Sequence, residues 1–180
     1  MVSRVGKCLL GKYLWVTNTL SSGVLLSFGD SIQQWLEKVS NEGKERPYDW
    51  KRTGRMFVVG LSQGPPHHIW YTRLDRVFPK KNLSSVSYKI LADQIFAAPF
   101  FAFTFFLGMG IMEGKNIRAA IDEFKRKFIS LYLFDWCFWP PVQFINFVWI
   151  PTTYRVIYVN AATVVWDVFL SYIKHYDQYG

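Results

Sequence analysis

The stretch IFAAPFFAFTFFLGMGIM, residues 95–112, contains no charged side chain and six phenylalanines. As a helix it would be about 27 Å long, close to the ~30 Å hydrocarbon thickness of a bilayer. Pro99 predicts a kink near its start. Taken alone, such a segment is equally typical of the core helix of a soluble protein.

Three further uncharged stretches accompany it, at residues 13–29, 56–72 and 136–154. The chain has 180 residues, of which 51% are hydrophobic and 19% aromatic, so too little polar chain remains to cover a soluble core of four such segments. We therefore predict an all-α fold, an integral membrane helical bundle forming a single domain over residues 1–180. Its four transmembrane helices are expected near 13–36, 54–72, 90–112 and 136–154, with interfacial or short C-terminal helices in addition.

Residues 155–174 form a further apolar segment interrupted by Asp167. It is either a fifth spanning helix with one buried acid or a helix on the membrane surface, and both interpretations stay open. Lys and Arg are almost evenly divided between the two sides of a four-span arrangement, so their distribution predicts no orientation.

Small residues indicate where helices pack, because they let two backbones approach closely in lipid. Gly60 with Gly64, and Gly110 with Gly114, have GxxxG spacing. A stripe of small and polar residues in the first span is predicted to face other helices rather than to line a solute path. It consists of Thr19, Gly23, Ser27, Ser31 and Gln34.

Ionisable groups in or beside the spans predict a polar interior, since such groups are expensive in hydrocarbon and face a partner, water or the bundle. Ion-paired structural roles and functional roles are both compatible with the pattern. Lys89 and Asp93 have the i,i+4 spacing of a helical ion pair. The groups are Asp30, His67, His68, Asp93, Asp135, Arg155 and Asp167.

Motifs of known enzymes are missing from the sequence. His67 and His68 are adjacent, so on a helix they point about 100° apart and do not form the i,i+4 pair of a metalloprotease. No phosphate-binding loop, nucleophile elbow or zinc-ligand spacing is present. We predict no catalytic residues, no metal site and no cofactor.

The segment NIRAAIDEFKRKFISLYLF, residues 116–134, has the pattern of a basic amphipathic helix capped by Asn116. We expect it to lie along the membrane surface. Lys125, Arg126 and Lys127 lie off its apolar face and could dock a partner, although a solvated connecting helix has the same pattern. The net charge of +8 favours anionic lipid or a ribonucleoprotein as that partner.

Residues 135–151, DWCFWPPVQFINFVWIP, combine apolar side chains with two amides. Pro140 and Pro141 suit the first turn of a helix and Pro151 its end, which predicts a short helix over 140–150. Gln143 and Asn146 would then share one face. We expect them to hydrogen-bond to a neighbouring helix or to backbone groups freed by the prolines, with pore lining as the second interpretation.

The run from Asp135 to His175 closely resembles the signature of the Mpv-seventeen and peroxisomal 22-kilodalton membrane protein family. Upstream, the pairs GD at Gly29, GP at Gly64 and DQ at Asp93 also match, so the resemblance covers nearly the whole chain. The signature residues are Trp136, Trp139, Pro140, Gln143, Asn146, Phe147, Pro151, Arg155, Asn160, Trp166, Leu170 and Ser171.

The resemblance implies a small multi-span protein of the mitochondrial inner membrane, or alternatively of the peroxisomal membrane. LWVTNTL, HIWYTRLDRVFP and FDWCFWP look most like the like-two branch of the family, which implies support of mitochondrial ribosome assembly and translation. The expected partners are membrane lipids and mitochondrial ribosomal particles. A pore or channel for small solutes is the alternative that the family implies.

The resemblance also selects residues for attention. It implies polar motif positions in or near the spans at Asp30, Asp93, Gln94, Gln143, Asn146, Arg155 and Asn160, and helix-shaping prolines at Pro65, Pro140 and Pro151.

Overall fold

The structure is a computed structural model that describes residues 14–40, 47–79, 82–150 and 155–175. Every regular element in these ranges is helical, which confirms the predicted all-α class. The elements are α1 (Leu14–Ser40), α2 (Trp50–Val77), α3 (Leu83–Ala92), a π-helical turn (Asp93–Ala97), α4 (Ala98–Met112), α5 (Ile117–Val148) and α6 (Arg155–His175).

The long helices form a closed ring. Passing round the bundle, α1 packs against α2, α2 against α4, α4 against α5, α5 against α6, and α6 against α1. The helix directions alternate, so the end of α1, the start of α2, the turn after α4 and the end of α6 meet at one end of the bundle. α6 is therefore a helix of the ring itself rather than a segment lying apart from it.

Apolar side chains fill part of the ring's interior. Met56 of α2 and Phe105, Phe106 and Met109 of α4 are at most 1% exposed. Dispersion attraction between these closely packed side chains stabilises the cluster in any environment. Any part of it that lies outside a membrane is also stabilised by the removal of apolar surface from water. Val59 of α2 belongs to the same cluster, and Leu26 of α1, Leu131 of α5 and Leu170 of α6 complete it.

α1 and α2 approach each other through glycines, as the first GxxxG pair predicts. A Cβ on Gly64 would lie 2.5 Å from the Cα of Thr19, and a Cβ on Gly60 would lie 2.7 Å from the carbonyl oxygen of Ser22. The small and polar stripe of α1 thus faces a neighbouring helix. The adjacent face carries Leu20, Val24 and Phe28, each more than half exposed.

The two glycines of the second GxxxG pair do not form one helix-packing face. Gly110 lies against the Cβ of Ala120 at the junction of α4 and α5, but Gly114 is outside the helix, with φ of +76°. Glycine adopts this left-handed backbone at little cost, so Gly114 ends α4. Asn116 then caps α5 as predicted, accepting a hydrogen bond from the amide of Ala119 at 2.7 Å.

The predictions for residues 116–150 need correction. α5 is one continuous helix through Pro140 and Pro141, so its basic start is not a separate surface helix and the prolines do not begin a short one. Two prolines remove two backbone hydrogen bonds, yet the hydrogen bonds on either side and packing in the bundle keep the helix intact. The predicted end at Pro151 lies outside the described residues.

Beyond Arg126, the outward face of α5 is apolar for about 28 Å, close to the thickness of a bilayer's hydrocarbon layer. Its exposed side chains there include Ile129, Leu133, Trp136, Phe144 and Val148.

α3, the π-helical turn and α4 follow one another without a break. Within this continuous helix, the segment Ser84–Met112 is long and apolar enough to cross a membrane by its own length and composition. The predicted number of four spans is not confirmed by this measure. α1 and α2 carry buried charges such as Asp30 and Arg52, and these polar groups lower the hydropathy of helices whose outer faces are nevertheless apolar.

Candidate functional site

A network of buried charges occupies the end of the bundle where α1, α2 and α6 meet. Arg52 is 3% exposed; its Nε lies 2.7 Å from Asp30 Oδ1 and its Nη1 lies 2.8 Å from Glu37 Oε2. Asp30 is fully buried and accepts further hydrogen bonds from Ser171 at 2.7 Å and Thr53 at 2.6 Å. The Arg52 guanidinium also donates to Ser171 Oγ at 2.8 Å, so one arginine joins three helices.

A second cluster continues this network across the turn between α4 and α5. Lys174 is 2% exposed and its Nζ lies 2.7 Å from Glu123 Oε1 and 3.1 Å from Glu113 Oε2. Lys115 Nζ lies 2.8 Å from both glutamates. We call the two clusters together the charged end. It comprises Asp30, Glu37, Arg52, Glu113, Lys115, Glu123, Ser171 and Lys174.

Electrostatics within the second cluster stabilise the charged forms. Burial alone would raise the pKa of Glu113 and of Glu123, but the ammonium groups of Lys115 and Lys174 outweigh it, and both pKa values lie below the ordinary 4.5. Burial would lower the pKa of Lys115, yet the two carboxylates raise it above 10.5. Glu113, Glu123 and Lys115 are therefore ionised at neutral pH, and their charges pair with one another.

A second polar region, the polar layer, lies between α2, the π-helical turn and α5. It comprises Trp70, Asp93, Gln94, Tyr132 and Asp135. The π turn creates a need for it: Ala98 donates its amide to the carbonyl of Asp93, and Pro99 has no amide to donate. The carbonyl of Gln94 consequently lacks a helical partner, and the Tyr132 hydroxyl donates to it at 3.1 Å.

Asp93 is bound differently from the sequence-based expectation. Its Oδ1 accepts a 2.6 Å hydrogen bond from the indole of Trp70 on α2, while Lys89 pairs with Asp75 at 2.6 Å instead. The i,i+4 spacing permits a pair, but the interhelical partners lie closer.

The polar layer contains acceptors that are not satisfied. Asp135 lies beside Gln94 and near the charge of Asp93. Gln94 is 3% and Asp135 6% exposed, yet Gln94 Oε1 and Asp135 Oδ2 have no hydrogen-bond partner among the described residues. A buried acceptor left unpaired costs roughly 1–3 kcal/mol. These atoms are therefore places where water or a polar solute would bind favourably.

Gln143 and Asn146 share a face of α5 as expected, but they pair with each other. Asn146 Nδ2 donates to Gln143 Oε1 at 3.4 Å, and Asn146 Oδ1 has no partner among the described residues. The hydrogen bond between these amides lies within α5, and among the described contacts neither amide is bonded to a neighbouring helix. The side chain of Arg155 lies outside the described residues, and Asn160 is exposed on α6.

The predicted basic docking residues are divided by the fold. Lys125 and Arg126 are exposed, and Lys125 makes a loose 3.9 Å contact with the exposed Asp122. Lys127 turns inward, donating to the carbonyl of Lys174 at 2.8 Å and lying 3.7 Å from Glu123. Arg118, two turns before Lys125, is exposed on the same part of α5.

The two adjacent histidines make separate local contacts. His67 hydrogen-bonds to the carbonyl of Gln63 and stacks on Phe101, while His68 hydrogen-bonds to Asn18 of α1 at 3.2 Å. Within the described ranges, no group of three or more His, Cys, Asp or Glu side chains is arranged to hold a metal ion.

Several central residues were not selected from the sequence. These residues lie at or near helix ends, where charged side chains are ordinarily solvated, so the local sequence does not indicate that they are buried. They are Arg52, Glu113, Glu123 and Lys174. A usable signal was the presence of both charge signs at helix ends that meet in an alternating bundle. Tyr132 would have required knowledge that a π turn frees the carbonyl of Gln94.

Comparison with known proteins identifies relatives across nearly the whole chain. The model of the Mpv17 / PMP22 family matches residues 110–171. PXMP2/4 family protein 4 of Dictyostelium discoideum is 37% identical over 90% of this chain and 87% of its own length. Protein sym1 of Aspergillus oryzae is 33% identical, covering 94% and 95% of the two chains. Mitochondrial inner membrane protein Mpv17 of Danio rerio is 29% identical, covering 92% and 93%.

No solved structure shows a significant match. The names of the relatives confirm the predicted location in the mitochondrial inner membrane, and the PXMP2/4 relatives are consistent with the peroxisomal alternative. Because PXMP2/4 family protein 4 and protein sym1 are each more than 30% identical along at least nine-tenths of the sequence, this chain belongs to the Mpv17 / PMP22 family.

Proposed function

We propose that this protein is a non-enzymatic protein of the mitochondrial inner membrane that supports ribosome assembly and translation by holding ribosomal particles at the membrane. The observation that supports this proposal is the exposed basic surface at the start of α5, which we define as Arg118, Lys125 and Arg126. It lies just before the long apolar outer face of the same helix.

The five long helices cross the bilayer in this proposal. The outer faces of α1, α4 and α5 carry exposed apolar residues such as Val24, Phe100 and Leu133, while the charges of α1 and α2 are turned inward and paired. Lipid then contacts mainly apolar surface, and the charged groups of α1 and α2 are bound within the protein, as a bilayer requires.

The basic surface remains available for a polyanion. Its contact with Asp122 is long and solvent-exposed, and such pairs contribute about 0–1 kcal/mol. The cations of the charged end, in contrast, are already neutralised by carboxylates. An RNA-containing particle would therefore find accessible positive charge at Arg118, Lys125 and Arg126, and binding there requires no rearrangement of the bundle.

Co-sedimentation with mitochondrial ribosomal particles tests this proposal. The full chain is purified in detergent without added lipid, because anionic lipid would produce a salt effect of its own. The double variant Lys125→Gln/Arg126→Gln should sediment less with the particles, and its binding should depend less steeply on salt, by roughly one unit of log–log slope or more. Lys127 is left unchanged because it is bound inside the bundle.

The matched control is Arg73→Gln/Arg76→Gln, which also removes two exposed cations but at the opposite end of the bundle. It should sediment as well as the parent. Equal sedimentation of both double variants across the salt series would exclude the basic surface as the docking site.

A pore for small polar solutes is the second candidate, and the unpaired Gln94 Oε1 and Asp135 Oδ2 favour it. Water or solute passing the polar layer would satisfy both atoms. The apolar cluster around Phe106 and the paired charges of Arg52 occupy the remaining interior, so conduction would require them to separate. This requirement places the pore second to the docking role.

Solute efflux from liposomes tests the pore. Asp135→Leu should slow the efflux of a small polar solute, while Asp122→Leu, which changes an exposed acid outside the polar layer, should leave it unchanged. Efflux equal to that of protein-free liposomes for the parent protein would contradict the pore.

A further inference from the structure

A groove opens on the outside of the bundle between α2 and the helix that contains the π turn. Its volume is about 580 Å³. Pro65, Pro66 and Ile69 form one wall, and Phe96 and Phe100 form the other. The remaining lining residues are Trp70, Arg73, Ala97 and Phe101.

The local backbone explains why a groove exists here. Pro65 and Pro66 have no amide hydrogens and present only ring carbons, and the π turn at Asp93–Ala97 widens the helix opposite them. The indole of Trp70 is held in place by its 2.6 Å hydrogen bond to Asp93. The shape of the groove thus follows from the backbone of the two helices.

The groove faces outward at the level of the apolar stretch. Ile69 is 52%, Phe96 63% and Phe100 50% exposed. Ser84–Met112, which contributes one wall, is the helix suited to crossing a membrane by length and composition. In the membrane, the occupant that reaches this opening is a lipid.

Arg73 adds charge selectivity. It lies at the end of the groove, it is exposed, and no ion pair joins it to another described residue. The neighbouring acid Asp75 is paired with Lys89. An apolar groove that ends in one unneutralised guanidinium is complementary to an acyl chain attached to an anionic head group.

We propose that this groove binds an anionic phospholipid, with an acyl chain against Ile69, Phe96 and Phe100 and the phosphate on Arg73. A free phosphate would leave the apolar walls unused. A peptide would bring backbone donors and acceptors that these walls cannot satisfy. The site is separate from the basic surface of α5, so it goes beyond the docking role and does not depend on it.

Native mass spectrometry of the detergent-purified full chain tests the site, with dioleoyl phosphatidylglycerol and dioleoyl phosphatidylcholine as probes. The parent should bind the anionic lipid more tightly. Arg73→Gln should reduce that preference by about five-fold, the effect of one cation near an anionic lipid surface. Arg73→Lys should retain most of it, and Arg76→Gln, one turn along but outside the groove, should retain all of it.

Filling the groove should act on both lipids. Ile69→Trp places a larger side chain at a position that is already half exposed, so the helices should remain packed, and binding of both lipids should fall. Glycerol 3-phosphate, which has the phosphate but no chain, should not compete. Helical circular dichroism and melting confirm that each variant is folded.

Unchanged lipid preference in a folded Arg73→Gln variant would overturn the proposal, as would unchanged binding in a folded Ile69→Trp variant or displacement of lipid by glycerol 3-phosphate. Loss of ribosome co-sedimentation alone would leave these results unaffected, so the two proposals fail separately.

Discussion

The charged end and the polar layer both bury polar side chains, but they satisfy them to different degrees. Each of the carboxylates Asp30, Glu37, Glu113 and Glu123 has a cationic nitrogen within 2.8 Å. The oxygens of Glu113 lack a well-aligned hydrogen bond, but Lys115 and Lys174 lie 2.8 and 3.1 Å from its Oε2. In the polar layer, Gln94 Oε1 and Asp135 Oδ2 have neither a hydrogen bond nor an ion pair among the described residues. The comparison indicates that the charged end holds the helices together, while the polar layer retains capacity to bind something else.

The difference follows from how each region is built. Charges at the charged end come from four helices and the turn before α5, so several chain segments supply matched partners. The polar layer arises beside a local irregularity, the π turn before Pro99, which frees the carbonyl of Gln94, and Asp135 of α5 lies next to it. Irregular backbone inside a membrane bundle is tolerated where it is buried or lines a polar cavity.

The largest expected effect comes from removing the arginine of the charged end. Arg52→Met would leave Asp30 and Glu37 without their shared cation, and stranding buried charges costs about 3–5 kcal/mol. The free energy of unfolding in detergent should fall by that amount. Lys51→Met, an exposed neighbour, should change it by no more than about 0.5 kcal/mol. Similar losses for both variants would show that the charged end does not hold the bundle together.

A smaller effect is expected where α1 and α2 touch, the contact that brings Asp30 to Arg52. Gly64→Ala would place a Cβ 2.5 Å from the Cα of Thr19, and such overpacking costs about 1–3 kcal/mol. Gly54→Ala is the control on the same helix, because its Cβ would meet nothing within 4 Å. It should stabilise the protein by about 0.5–1 kcal/mol through lower backbone entropy. Destabilisation by Gly54→Ala as large as that by Gly64→Ala would contradict the close approach.

In the polar layer, Tyr132→Phe should reduce the free energy of unfolding by about 1 kcal/mol, since the carbonyl of Gln94 would lose its hydrogen bond. Tyr88→Phe, at an exposed tyrosine of α3, should have no measurable effect. If Tyr132→Phe is also neutral, water already reaches that carbonyl and the pore gains support.

The smallest effect is expected at Asn146. Its described hydrogen bond is a long one to Gln143 on the same helix, so Asn146→Leu should cost less than about 0.5 kcal/mol or even stabilise the protein. Asn18→Leu removes an interhelical bond to His68 and should cost about 0.6 kcal/mol. Melting in detergent compares the two; a larger loss at Asn146 would restore its interhelical role.

Prediction from sequence succeeded where a residue's role follows from local pattern. The glycines of α2, the cap at Asn116 and the apolar stretch before Glu113 were recognisable because small size, capping geometry and hydropathy act over a few residues. It failed at Pro140 and Pro141, since proline's preference for a first turn was overridden by packing along the whole of α5. The direction of Lys127 also depended on contacts with Glu123 and α6 that no local pattern contains.

The sequence by itself determined the all-α class, the family and the residues that allow α1 and α2 to approach, because these depend on composition, order and side-chain size. Only the tertiary structure decided which charges are paired. Arg52 and Ser171 are 119 residues apart, yet their side chains lie 2.8 Å from each other. It likewise decided that Gln94, in the π turn, lies beside Asp135 of α5. The tertiary structure also placed Pro65, Pro66 and Arg73 in the lining of one groove. Such contacts depend on how the helices close into a ring, and electrostatic and packing energies act on distance in space rather than along the chain.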